Sequence, residues 1–267
     1  MKSNGKDKPV LTFDFDGVLS DSLLEAYLLT WNLAGKVDPE LAYQLADAPT
    51  INTIHAFRDS HRDHYEATEN IIPYGNRCED FLVAQKAVHL GAAINSQAEF
   101  DSFKLTVDKP LQDTFHEQFY VLRYKLAASH RQQWLDLNGA YPGVREAIPA
   151  LAKTFRLSVA TSKDRETVVS MLQSWGLFEL FGEEQVLDKS SGPSKRTHLS
   201  ILRERFGCRF EEMIFIDDKV SHLLDCADLG VRPVMSGWGY NGLAERAQAA
   251  EHGIQILALE ELASLQM

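Results

Sequence analysis

The sequence predicts an α/β protein whose parallel sheet is covered by helices on both faces and is split after its first strand by an α-helical insertion. Three observations lead there. A β-branched and aromatic run, Val10–Asp16, stops at Gly17. The stretch that follows shows only helical spacing, with Leu23, Tyr27, Leu28 and Trp31, then Phe115, Phe119, Leu122 and Leu126, punctuated by Pro39, Pro49, Pro73 and Pro110. From Tyr141-Pro142-Gly143 onward strands alternate with helices, and alternation of that kind implies a parallel sheet.

The later strands are expected at Leu157–Ala160, Gln185–Leu187, Met213–Ile216, Arg232–Met235 and Ile254–Leu257. Gly176, Gly207 and Gly230 stand where helix C-caps are needed. The expected division is therefore a core of residues 1–19 and 138–267, with a helical domain at 20–137.

Composition narrows the function. Hydrophobic residues at 45% and charged ones at 24% support a buried core and argue against disorder. A net charge of -11 argues against nucleic acid or an anionic membrane as the main partner. Met1–Pro9 is polar, so no ordinary signal peptide is expected, and no apolar run is long enough for a membrane span. Cys78, Cys208 and Cys226 form no CxxC pair and are expected as reduced thiols. A soluble, cytoplasmic protein is expected.

Residues two apart on a strand share a side, so Asp14 and Asp16 project together while Phe13 and Phe15 face the other way. An isolated Asp-x-Asp is most simply a strand end reaching solvent. A second apolar strand, Met213–Ile216, also ends in two carboxylates, Asp217 and Asp218. In an open parallel sheet ligands bind at the C-terminal strand ends. Four carboxylates there make an oxygen-rich site suited to magnesium. Leu157–Ala160 runs into Thr161, Ser162 and Lys163 ahead of a helix, where hydroxyls and backbone N–H groups suit a phosphate. Lys195 opens another helix, against the dipole's preference, as happens where function outranks stability.

With these motifs in this order, the sequence resembles the haloacid dehalogenase superfamily of phosphohydrolases, whose core is a doubly wound, Rossmann-like sheet with a helical cap. The resemblance covers nearly the whole chain. It rests on Asp14-Phe15-Asp16-Gly17-Val18, Thr161, Lys195 and Asp217-Asp218, with Tyr141-Pro142-Gly143-Val144 as the return to the core. It implies Asp14 as nucleophile, Asp16 as general acid and base, and Thr161, the N–H of Ser162 and Lys195 as holders of the phosphoryl group. It implies Mg2+ as cofactor, bound by Asp14, the Asp16 carbonyl and an acid of the pair Asp217-Asp218. The family spacing points to Asp218, with Asp217 supporting.

Two departures stand out. His222 occupies the usual second acidic position, and Ser194-Lys195-Arg196 replaces the usual Lys-Pro, with Lys189 a rival lysine. The implied substrate is a small phosphorylated metabolite, with phosphoglycolate one candidate beside sugar and nucleotide phosphates. A phosphomutase and a catalytically silent scaffold of the same fold are the alternatives.

Other motifs are weaker. Gly237-Trp238-Gly239-Tyr240-Asn241-Gly242 matches G-x-G-x-x-G, but bulky Trp238 and Tyr240 argue against a dinucleotide turn. It is more similar to the Trp-Gly-Tyr loop of phosphoglycolate phosphatase-like proteins, which flanks the active site. His61 and His64 are expected on a solvated helix face, with Arg58 and Arg62 as substrate contacts from the cap. Trp134 and Trp175 are expected in the core.

Overall fold

The computed structural model describes residues 8–45 and 47–267. Residues 1–7, which carry most of the polar N-terminal stretch, lie outside the described residues. Six parallel strands form one sheet: β1 Val10–Phe13, β2 Arg156–Ala160, β3 Val186–Leu187, β4 Met213–Asp217, β5 Arg232–Ser236 and β6 Gln255–Leu257. Their order is β3-β2-β1-β4-β5-β6. The first strand therefore sits in the interior of the sheet, where the strand order reverses and where open α/β sheets bind ligands. β3 is short because Gln185 closes a 3-10 turn, Glu183–Gln185, instead of extending the strand.

Alternation along the strands sorts the two faces. Val10, Phe215 and Met235 pack against Leu199 and Leu202 of the helix Lys195–Phe206, Leu223 of Val220–Cys226 and Ala249 of Leu243–Glu251. On the opposite face Phe13 meets Phe181 edge-on at 6.1 Å. Phe15 stacks on Trp175 at 5.6 Å, just past the helix Arg165–Ser174. The sheet is thus covered on both sides, and each fully buried large apolar side chain contributes about 2–3 kcal/mol.

The chain divides into two compact units: the described residues through Asp21 together with Gly139–Met267, and Ser22–Asn138. The second unit is helical, with the long helices Leu23–Val37, Cys78–His89 and Lys109–Ser129. Leu29, Leu33, Leu82, Phe115 and Phe119 form its own core. Glu25 is buried there, accepting bonds from Arg123 at both carboxylate oxygens (2.8 Å each) and from Trp134 Nε1 at 3.0 Å. Among the described residues no helix is long and apolar enough to cross a membrane.

The expectation of a solvated His64 is corrected. Its ring lies among Trp31, at 5.0 Å between centroids, and Tyr27, whose hydroxyl is 3.0 Å from Nδ1. Burial, then the neighbouring His61 and His89, push it from the ordinary 6.5 down to about 4. The helical stretch reads as polar, but its aromatic partners lie elsewhere in sequence. The unfolded chain takes this proton below about 6.5, while the fold refuses it until about 4. Stability is therefore expected to fall as pH drops through that window, by about 2 kcal/mol from His64 after discounting its partial exposure. His64→Asn should flatten that share of the slope in urea midpoints measured against pH. An unchanged slope would mean the ring takes up its proton within the fold.

Candidate active site

The C-terminal ends of β1 and β4 are neighbours, with Phe13 opposite Ile216 and the Asp14 N–H donating to the Ile216 carbonyl at 2.8 Å. Alternation turns Asp14 and Asp217 toward the face that carries the helix Lys195–Phe206. Its first residue reaches them: Lys195 Nζ lies 2.7 Å from Asp14 Oδ2, 3.3 Å from Asp217 Oδ2 and 2.7 Å from the Ala160 carbonyl. The helix is capped by Ser194, whose Oγ accepts from the Thr197 N–H. The lysine's unfavourable place at a helix start is thus offset by two carboxylates, which hold its ammonium above the usual value despite burial. Lys189 is exposed.

Asp217 is well supplied. Burial pushes its carboxyl up, but Lys195, His222 (Nδ1 at 3.0 Å) and the Lys219 N–H (2.9 Å) hold it well below the usual range. Asp218 is the opposite case. It is buried and accepts from the Tyr240 N–H at 3.0 Å, yet burial, with Asp217 and Asp14 nearby, raises it well above the ordinary value. Asp14 is raised too, by burial first and then by Asp217, against the pull of Lys195.

Asp14 and Asp217 share the buried Lys195, while Asp218 lies buried with the half-buried Lys219 as its main cation. Burial leaves Asp14 and Asp218 raised even so. Hard oxygen donors short of charge fit a divalent cation such as magnesium. Oxygen and nitrogen atoms of Asp14, Asp217 and His222 also lie within 4.8 Å of one another. The Lys195 ammonium and the His222 bond already bridge that group, so we read it as a hydrogen-bond network.

β1 leaves the sheet through a tight loop. Gly17 has φ 77°, and the N–H groups of Leu19 and Ser20 return to the Phe15 carbonyl. This carries Asp16 away from the strand to a second lysine: Lys163 Nζ lies 3.0 and 3.3 Å from its two oxygens. Residue types alone place Lys163 only within a donor loop. The one sequence signal for its contact is a lysine two residues past Thr161 at a C-terminal strand end. Thr161 is pinned by its N–H to the Leu187 carbonyl at 3.0 Å, and its Oγ1 accepts from the Lys163 N–H at 3.2 Å. Ser162 is half-buried beside it, ahead of the helix capped by Asp164.

The loop Gly237–Gly242 closes the same corner. A Cβ on Gly239 would clash with the Gly17 carbonyl and with Asp218 Cβ, so the glycine is required by close approach. Trp238 Nε1 donates to the Val18 carbonyl at 3.1 Å, and the Tyr240 hydroxyl donates to Asp21 at 3.1 Å. Gly239 thus serves packing against the β1 loop, while Gly237 sits against Ile256 and Leu257 at β6. The backbone donor that Tyr240 gives Asp218 is not readable from residue type.

The chain is similar to known proteins over much of its length. The phosphoglycolate phosphatase of Pasteurella multocida (strain Pm70) is 28% identical over 142 residues, which is 52% of this chain and 61% of that protein. The match thus spans less than two thirds of the relative's length. A crystal structure of a predicted phosphoglycolate phosphatase from Haemophilus somnus 129PT superposes with a TM-score of 0.58 at 22% identity, covering 91% of each chain. A haloacid dehalogenase-like hydrolase from Streptococcus pneumoniae superposes at 0.57 and 17% identity, covering 97% of this chain and 99% of its own. These structures speak to the fold. A family model for haloacid dehalogenase-like hydrolases matches residues 9–224, most of the protein, and the chain belongs to that family.

Proposed function

We propose that the protein is a magnesium-dependent phosphatase of small phosphomonoesters, with phosphoglycolate a candidate because relatives carry that name. The observation that carries the reading is Asp14, buried at the sheet's switch point and bonded to Lys195 beside two further buried carboxylates. A carboxylate oxygen of Asp14 attacks phosphorus and the ester P–O bond breaks. Asp16 gives its proton to the departing oxygen, leaving an aspartyl-phosphate. Asp16 then takes a proton from the water that attacks this intermediate, and phosphate leaves with the Asp14 carboxylate restored. Asp16 suits a group that exchanges a proton at each turnover, since its side chain is 33% exposed while those of Asp14, Asp217 and Asp218 are buried. Thr161, the N–H of Ser162 and Lys195 hold phosphoryl oxygens. Magnesium would be held by Asp14, the Asp16 carbonyl and Asp218, and would supply positive charge against the transferring phosphoryl group. Asp217 positions Lys195.

The test separates leaving groups. Asp16→Asn is expected to slow hydrolysis of alkyl phosphates such as phosphoglycolate by about 10²–10⁴-fold. Hydrolysis of an aryl phosphate with an acidic phenol, which leaves without a proton, should fall far less. Equal losses on both would remove Asp16 from the acid role. A panel of alkyl, sugar and nucleotide phosphates, with magnesium and with chelator, ranks the substrates.

A further inference from the structure

A second chemical cluster lies wholly within the helical unit and shares no residue with the carboxylates of the sheet. Cys78 and Glu79 open the helix Cys78–His89, and His116 projects from Lys109–Ser129. Cys78 Sγ is 3.5 Å from Glu79 Oε2 and 3.3 Å from His116 Nδ1, and that nitrogen is 2.9 Å from Glu79 Oε2. With the thiol protonated and a neutral imidazole protonated at Nδ1, the trio holds two protons for three contacts, and a thiol is a weak donor. Zinc bound to sulfur at about 2.3 Å, nitrogen at about 2.0 Å and oxygen at about 2.0–2.2 Å sets tetrahedral edges of about 3.5 Å to sulfur and about 3.4 Å between nitrogen and oxygen. The observed triangle lies within a few tenths of an ångström of that at two edges, and about half an ångström tight at the third.

We propose that Cys78, Glu79 and His116 form a zinc site that ties two helices of the insertion together. Thiolate, imidazole and carboxylate suit zinc and disfavour magnesium, which prefers all-oxygen shells. Binding breaks the Cys78 S–H bond and forms the metal–sulfur bond, the thiol proton passing to water, while the His116 proton moves from Nδ1 to Nε2 so that Nδ1 can ligate. Cys78 and Glu79 are buried, with Leu82, Phe115 and Phe119 in the same core as the thiol. The His116 side chain is 36% exposed, so water can complete the fourth position.

The test uses Co2+ as a probe on the full chain. One equivalent is expected to give a sulfur-to-cobalt charge-transfer absorption, bleached by added Zn2+. Zn2+ should also raise Tm. Cys78→Ser should abolish the absorption, and His116→Gln should remove the zinc-dependent rise in Tm. Cys208→Ser, Cys226→Ser and Asp14→Asn should leave the absorption intact, which separates this site from the carboxylate cluster. If Cys78→Ser does not fold, His116→Gln alone decides by its response to zinc. A charge-transfer band that persists in Cys78→Ser, a wild type that binds cobalt without one, or an undiminished zinc response in His116→Gln would overturn the assignment.

Discussion

Asparagine in place of Asp14 is expected to abolish phosphate release while slightly raising the melting temperature of the metal-free protein. Loss of a covalent nucleophile costs on the order of 10³-fold or more. Stability moves the other way because Asp14 is ionised at a cost, its carboxyl raised by burial and by Asp217. For an acid whose folded value is raised, the native state holds the proton more tightly than the unfolded chain. Stability is then lost as pH rises from the unfolded value through the folded one. A neutral isostere removes that penalty and still offers Lys195 an acceptor. The gain is about 1 kcal/mol, or about 2–4 °C in a protein of this size. Calorimetry at neutral pH in chelator, beside a phosphate-release assay, checks both halves. Turnover surviving the change would remove Asp14 as nucleophile. A fall in Tm accompanying lost activity would show that the carboxylate supports the fold.

Lys195→Met should cost both activity and stability. The ammonium is the buried cation that Asp14 and Asp217 share, and its removal leaves them repelling each other with an unanswered Ala160 carbonyl. Breaking such a buried network costs about 3–5 kcal/mol. Methionine keeps most of the volume, so the loss should be electrostatic. That makes it pH-dependent: without the lysine both carboxylates favour protonation, and the gap between wild type and variant should narrow in acid. Urea midpoints at acidic and neutral pH measure it. A gap independent of pH would assign the effect to packing.

What is legible in the amino-acid sequence follows a physical division. Strands are legible because fully buried parallel strands are short apolar runs ended by glycine or acid, as in Val10–Phe13 and Met213–Asp217. Two such runs, each ending in paired carboxylates, are enough to bring Asp14 and Asp217 to the same end of the sheet. Contacts that depend on register between distant elements are hidden. Lys163 beside Asp16, the Tyr240 N–H on Asp218 and the aromatic surroundings of His64 each join residues from separate segments. Cys78 and His116 lie on different helices, so no local spacing announces them. The family resemblance implies the proposed roles, while the backbone donor and close packing that Asp218 meets come from the loop Gly237–Gly242.

The placement of β1 also bears on how the chain is made. Its two partners are β2, beginning at Arg156, and β4, beginning at Met213, so the first strand made cannot complete its ladder until much of the chain has been synthesised. The intervening unit, Ser22–Asn138, contains all partners of its own apolar core and meets no such delay. On the ribosome the insertion can therefore fold first. Its folding then shortens the loop that must close before β1 finds β2, because a structured insert brings its two ends to a fixed separation.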